Sequence, residues 1–302
     1  MPRLLPQEGI LPARSQQLLS SLLDFSIPKV LAWELTRRCP MKCRHCRASA
    51  SDSDFCGELT TAECRRALDS LASFRPVVIW TGGEPMTRED LPELVRYATS
   101  LGIRSVLAPC GMLVTEERLK ELKSAGVMAC SFSVDGPDRD SHDAFRGVNG
   151  AWDSIFAAMA VSRAVGMPFQ VNTVVRKGSV PTLDAIYDRA IAEGALRLDM
   201  FFLVPTGRGK FIDSLVPDEA EVAAAIDWAK DKKVKLTCCP QAGTCIGGRG
   251  FAFLSHTGTL QTCGFVPVPC GNIRDFGFDF SRLVDAASNP LGVSGCCNGG
   301  RL

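Results

Sequence analysis

A chain of 302 residues is long for one ordinary domain but suits a barrel-like α/β unit carrying a small appendix. With 46% apolar and 22% charged residues it can bury a sizeable core, which excludes disorder as its main state. Thirty-four Lys and Arg against 33 Asp and Glu leave a net charge of +1, excluding a binder steered to nucleic acid or an anionic membrane by bulk charge. Residues 1–27 hold Arg3, Arg14, Asp24 and three prolines where a secretory signal would need an apolar core. Leu18, Leu19, Leu22 and Leu23 predict a helical segment there. No apolar run reaches membrane-spanning length, and the chain reads as cytoplasmic.

Short strands rich in β-branched and aromatic residues are predicted at Val30–Thr36, Val77–Trp80, Ile103–Ala108, Met128–Val134, Phe169–Val175 and Arg197–Val204. Helices are predicted between and after them, at Thr60–Ser73, Arg88–Ser100, Thr115–Ser124, Ala151–Val165, Val180–Glu193 and Asp218–Lys232. Thr60 and Thr115 stand where N-caps belong, and Gly102, Gly126, Gly166 and Gly194 stand where helices stop. Six βα units in succession imply a parallel sheet with right-handed crossovers, either a partial barrel or a doubly wound sheet. In both, functional groups belong at the carboxyl ends of the strands. The unusual residues fall there: three cysteines after the first strand, Gly82-Gly83-Glu84-Pro85 after the second, Ser133-Val134-Asp135-Gly136 ending the fourth, and Pro205-Thr206-Gly207-Arg208-Gly209 after the sixth. The alternation stops near Val234, dividing the chain into 1–27, 28–233 and a Cys-rich extension at 234–302 with a hairpin turning at Thr257-Gly258.

Fourteen cysteines in a large chain without an export signal point to metal or redox chemistry rather than a disulfide scaffold. Cys56, Cys64, Cys110 and Cys130 stand alone and read as inert thiols. Cys39-Pro-Met-Lys-Cys43-Arg-His-Cys46 places three thiolates on one loop. That number can hold three irons of a cubane and leave the fourth open; a zinc ion with His45 or a distant residue as fourth ligand is the alternative.

C-x3-C-x2-C after a first strand, with Gly82-Gly83-Glu84-Pro85 after the second, resembles the radical S-adenosylmethionine superfamily over roughly residues 28–210. The resemblance implies a partial (β/α)6 barrel, a 4Fe-4S cluster on Cys39, Cys43 and Cys46, and S-adenosylmethionine on the open iron, cleaved to a 5′-deoxyadenosyl radical. It places Gly82, Gly83 and Glu84 at the methionine amino group, Ser133 and Asp135 at the ribose, and Arg146 and Asn172 at the ribose or carboxylate. His45 stands where the superfamily usually has an aromatic residue.

Cys245-Ile-Gly-Gly, the hairpin through Cys263, and Cys270-Gly-Asn-Ile look like the SPASM or twitch extension of many such enzymes. That likeness implies an auxiliary 4Fe-4S cluster on Cys245, Cys263, Cys270 and Cys296 or Cys297, in an extension that reads as short or truncated. Trp33-Glu34-Leu35-Thr36-Arg37, Pro205–Gly209 and Ser255-His256-Thr257-Gly258 are similar to the haem-synthesis branch, the haem b synthases. This implies oxidative decarboxylation of tetrapyrrole propionates, iron-coproporphyrin III to haem b, with a low-potential donor such as ferredoxin or flavodoxin. The alternatives are a didecarboxysiroheme or haem d1 enzyme, or a SPASM-type peptide maturase. A substrate with several carboxylates calls for guanidinium forks, for which Arg37, Arg44, Arg47, Arg208 and Arg249 are candidates, Arg208 first.

Overall fold

The computed structural model describes residues 28–237, 247–248, 250–265 and 269–288, so the N-terminal leucine-rich segment, Arg249, Cys245, Cys296 and Cys297 lie outside the described residues. Strands β1 (Val30–Glu34), β2 (Val77–Thr81), β3 (Arg104–Leu107), β4 (Val127–Ser133), β5 (Phe169–Val175) and β6 (Leu198–Phe202) pair in parallel, each with the next. This sequential order, without the reversal a doubly wound sheet needs, makes the architecture an open partial barrel. Helices α1 (Thr61–Leu71), α2 (Leu91–Ser100), α3 (Glu116–Ala125), α4 (Arg139–Arg146), α5 (Ala151–Ala164), α6 (Leu183–Ala192) and α7 (Glu219–Ala229) lie between and after the strands.

Local chemistry explains these elements. Thr60 caps α1 in a reciprocal box with Glu63, Thr115 accepts the Arg118 N–H to start α3, and Asp218 forms the same kind of box with Glu221 for α7. Helix α4, which has no strand-to-strand spacing to advertise it, is started by Asp138, whose side chain accepts the Ser141 N–H. Strand alternation sets the two faces of the sheet. Along β5, Phe169, Val171, Thr173 and Val175 are buried toward the helices, while Gln170, Asn172 and Val174 are half-buried on the inner face. Trp33 and Trp80 stack at 5.5 Å on the helix-facing side of β1 and β2.

The sheet runs past residue 233 at both edges. Strand β7 (Val234–Thr237) pairs parallel with β6, and β8 (Phe251–Leu254) pairs parallel with β1. The hairpin of β8 with β9 (Thr259–Gln261) turns through Thr257 and Gly258, and β10 (Pro269–Asn272) completes a ten-stranded sheet. The extension thus covers the open edge of β1, which would otherwise present unpaired backbone groups. Arg274, beyond β10, clasps Glu63 of α1 at 2.7 and 2.8 Å, and α8 (Phe280–Ser288) places Phe280 6.0 Å from Phe74. Among the described residues no helix is long and apolar enough to cross a membrane.

Candidate active site

At the carboxyl ends of β1 to β6 lies a cavity of about 240 Å³. Cys39, Cys43 and Cys46 line it, from a loop with no regular structure of its own. That loop is shaped by its neighbours. Cys39 N–H donates to Ser51 O at 2.9 Å, closing the loop on itself. Gly83 N–H donates to Thr36 O at 2.7 Å and Glu84 N–H to Arg38 O at 2.8 Å. A Cβ on Gly83 would sit 2.4 Å from Arg38 O, so glycine here lets the β2 loop lie directly on the backbone of the cysteine loop. Gly207, at φ +55°, serves the same purpose from the β6 side, where a Cβ would come within 2.3 Å of Arg47 O.

Gly82, Gly83, Ser133, Asp135, Arg146, Asn172 and Arg208 all face this one cavity, so the structure brings together most of the residues that the sequence nominates from five different strand ends. Glu84 stands behind it. Its buried carboxylate accepts Met86 N–H at 2.9 Å and Cys110 N–H at 2.5 Å, tying the β2 loop to the β3 loop. Burial dominates its environment and raises its pKa.

Asp135 is buried, accepts Val174 N–H at 2.8 Å, and faces Arg146 Nη2 at 2.5 Å and His45 Nε2 at 3.7 Å. Burial pushes its pKa up, but Arg146 and then His45 outweigh that and hold the carboxyl below its ordinary range. Arg146 also donates toward Cys43 Sγ at 3.9 Å. His45 stacks flat on Phe145, with ring centroids 4.4 Å apart, and burial brings its pKa down to about 4, so the imidazole is neutral at pH 7. On the barrel wall Asn172 Oδ1 accepts Ser131 Oγ–H at 3.1 Å and Gln170 Nε2–H at 3.2 Å, and Gln170 is held by Asp199 at 3.1 Å and Arg197 at 2.7 Å.

The arginines sort themselves by partner. Arg37 and Arg47 both donate to buried Glu34, at 3.1 and 2.9 Å, and Glu34 also meets His256 Nδ1 of the hairpin at 2.8 Å. Arg208 donates from Nε to Cys43 O at 2.9 Å and from Nη1 to Ala50 O at 2.5 Å, while its backbone N–H reaches Cys46 O at 2.9 Å. Two of its side-chain nitrogens are therefore spent on the cysteine loop. Cys110, which reads as an isolated thiol in sequence, lines the same cavity and is a hydrogen-bonding neighbour of Cys39. Its place just past β3 is the one signal that could have marked it.

Among the described residues no three His, Cys, Asp or Glu side chains form a preformed metal-ion site, the three cysteines included. Cys39, Cys43 and Cys46 nonetheless line one cavity, and three thiols are the donor set that binds three irons of a cubane. Cys263 and Cys270 are buried in the extension and do not line this cavity.

A family model described as the radical SAM superfamily matches residues 33–188. The chain is 37% identical over 283 residues to an AdoMet-dependent heme synthase of Nitratidesulfovibrio vulgaris, covering 83% of this chain and 77% of that one. It is 38% identical over 284 residues to an AdoMet-dependent heme synthase of Methanosarcina barkeri, covering 83% and 81%. Its fold is similar to that of Streptococcus suis SuiB in a crystal structure with the precursor peptide SuiA, at TM-score 0.69 and 17% identity, covering 91% of this chain and 68% of that one.

Proposed function

Because the chain belongs to the radical S-adenosylmethionine superfamily, and is an enzyme of its haem synthase family, we propose that it oxidatively decarboxylates tetrapyrrole propionates, converting iron-coproporphyrin III to haem b. The observation that carries this reading is the identity of 37 and 38% to two haem synthases, each over 83% of the chain.

Cys39, Cys43 and Cys46 would hold the 4Fe-4S cluster. When bound, the cluster and S-adenosylmethionine supply one-electron cleavage of the sulfonium and hydrogen-atom abstraction by the 5′-deoxyadenosyl group. The protein's part is orientation. Gly82 and Gly83 keep the β2 loop low enough for an amino-acid moiety to lie beside the thiols, and Arg146, fixed by Asp135, offers a cation to its carboxylate. Ser133 and Asn172 offer a hydroxyl and an amide to a ribose, with Asn172 held by Gln170 and Ser131. Arg208 keeps the cysteine loop in place and has Nη2 left for a substrate carboxylate. Phe201 and Phe265, 6.1 Å apart, give the cavity an apolar wall that excludes water from the reacting carbon. Each turnover at a propionate removes a hydrogen atom from its β-carbon, carbon dioxide and one further electron, leaving a vinyl group. Cys263 and Cys270, with Cys245 and Cys296, would hold an auxiliary cluster that would supply an acceptor for this electron, and a low-potential protein would supply the donor.

The test is anaerobic incubation of reconstituted enzyme with iron-coproporphyrin III, S-adenosylmethionine and a reductant, followed by mass spectrometry. The expected products carry vinyl groups in place of propionates. An unchanged porphyrin mass, with S-adenosylmethionine still cleaved, would reject this substrate in favour of a related tetrapyrrole or a peptide.

A further inference from the structure

Most cations near the cavity already have protein partners. Arg37 and Arg47 serve Glu34, Arg146 serves Asp135, and Arg208 serves the carbonyls of Cys43 and Ala50. Two arginines do not follow this rule, and both contact Phe145, Arg176 through the ring and Arg44 through the backbone. Arg44 is exposed, with no side-chain hydrogen bond or ion pair among the described residues, and its backbone N–H donates to Phe145 O at 3.1 Å. Arg176 lies over the Phe145 ring with its guanidinium carbon 4.2 Å from the centroid. Its only side-chain hydrogen bond among the described residues runs from Nη1 to the Asp135 carbonyl at 2.9 Å, and no carboxylate pairs with it.

This is an unfavourable arrangement for the protein alone. Arg176 is half-buried, and burial is the main influence against its charge; Asp135, already paired with Arg146, favours the charge and the nearby Arg44 opposes it. A planar cation held on an aromatic face, beside a second cation and with no carboxylate paired to it, is matched by a ligand that brings the anion. Its position points the same way. Arg44 lies between Cys43 and His45, which both line the cavity, and Arg176 lies two residues past Val174, which also lines it. The Phe145 ring beneath Arg176 is the one on which His45 stacks. Beside it, Phe145 packs with Leu203, Ile212 and Leu215, and the neighbouring Phe211 leaves 87% of its surface exposed.

We propose that Arg44 and Arg176 form a two-pronged clamp, at the rim of the cavity, for a substrate carboxylate that is not the one reacting. The inference rests on the proposed porphyrin substrate and deepens it. A propionate gripped at the rim fixes the macrocycle while another reaches the thiol-lined end, so binding energy remote from the chemistry sets the orientation of the reacting group. Phe211 offers the macrocycle an apolar face at the same rim.

Equilibrium titration of iron-coproporphyrin III into cluster-replete enzyme, followed by the porphyrin absorption band, measures the clamp without turnover. Arg44→Gln and Arg176→Gln should each raise Kd about tenfold or more, and the double variant should raise it by less than the product of the two, because both groups hold one carboxylate. The tetramethyl ester of the same porphyrin should bind wild type and variants alike. Iron content per chain reports whether a variant has kept the site. Should Arg176→Gln lose iron, exposed Arg44→Glu decides, because a reversed charge should weaken the free acid well beyond Arg44→Gln and spare the ester. Unchanged Kd values in enzyme that still converts the porphyrin would overturn the clamp and leave the substrate standing. Wild type that fails to bind the free acid would overturn both.

Discussion

Glu34 joins the barrel to the extension, and its removal can be worked out in energy. The carboxylate is fully buried on β1 and meets Arg37, Arg47 and His256, the last from 222 residues away in the sequence. Burial by itself raises its pKa, but the His256 hydrogen bond and the charges of Arg47 and Arg37 outweigh it and bring the value from 4.5 to about 2. At roughly 1.4 kcal/mol per pKa unit, that gap is worth about 3 kcal/mol. Glu34→Gln keeps the shape, removes the charge, and should lower the unfolding free energy by about that amount at pH 7, as measured by urea denaturation under anaerobic conditions. The sign with pH follows from the direction of the shift. A folded-state pKa below the unfolded one gives stability that is complete above about 4.5 and lost as pH falls through about 2. The gap between wild type and variant should therefore hold from pH 7 to about 5 and narrow below about 4.5. Amide exchange in the turn at residues 255–258 should quicken in the variant. A loss below about 1 kcal/mol, or a gap that widens on acidification, would refute the reasoning.

Replacing Cys39, Cys43 and Cys46 together with Ala should remove about four irons per chain and all 5′-deoxyadenosine formation, while any auxiliary cluster remains measurable as the residue by iron analysis and electron paramagnetic resonance. Arg208→Ala strips donors from Cys43 O and Ala50 O and should lower both iron retention and S-adenosylmethionine cleavage; a rise in porphyrin KM with both of these intact would show that Nη2 on the substrate is its main role. Gly83→Ala forces a methyl to within 2.4 Å of the Arg38 carbonyl, so the cysteine loop must shift. Iron incorporation should fall even though no ligand has changed, and full incorporation would mean that the loop yields.

The barrel was legible because each of its early strands is short, apolar and followed by a helix, two of them capped by Thr60 and Thr115, and because the chemistry-bearing residues sit at strand ends. The parts that were not legible share a physical cause. Strand β7 is a half-buried Val-Lys-Leu-Thr whose edge position gives no strong alternation. Helix α4 is eight residues with only a local cap to mark it, yet it supplies Arg146 and Phe145. Arg176 is one charge among 34 in sequence and becomes distinctive only when the fold lays it on Phe145 without an acidic partner. The pairing of Glu34 with His256 is a tertiary contact, and Trp-Glu-Leu-Thr-Arg and Ser-His-Thr-Gly show no complementarity until β8 docks on β1.

The cysteine loop shows how a site can be exact without regular structure. Its exposed carbonyls are taken one by one: Thr36 O by Gly83, Arg38 O by Glu84, Cys43 O and Ala50 O by Arg208, Cys46 O by the Arg208 and Ser49 N–H groups, and Ser51 O by Cys39. These donors come from the β2 loop, the β6 loop and the loop itself, so three separate pieces of the barrel must be in place before the thiols face one cavity. The extension adds a fourth hold through His256 and Glu34 to Arg47, the residue after the last cysteine. A loop so held loses little further entropy when a cluster is inserted, because most of its ordering has already been achieved by folding. On the proposed ligation by these thiols, changes in Gly83, Arg208 or Glu34 would act on the cluster through the backbone that carries them, and each should be visible in iron content before it is visible in the chemistry.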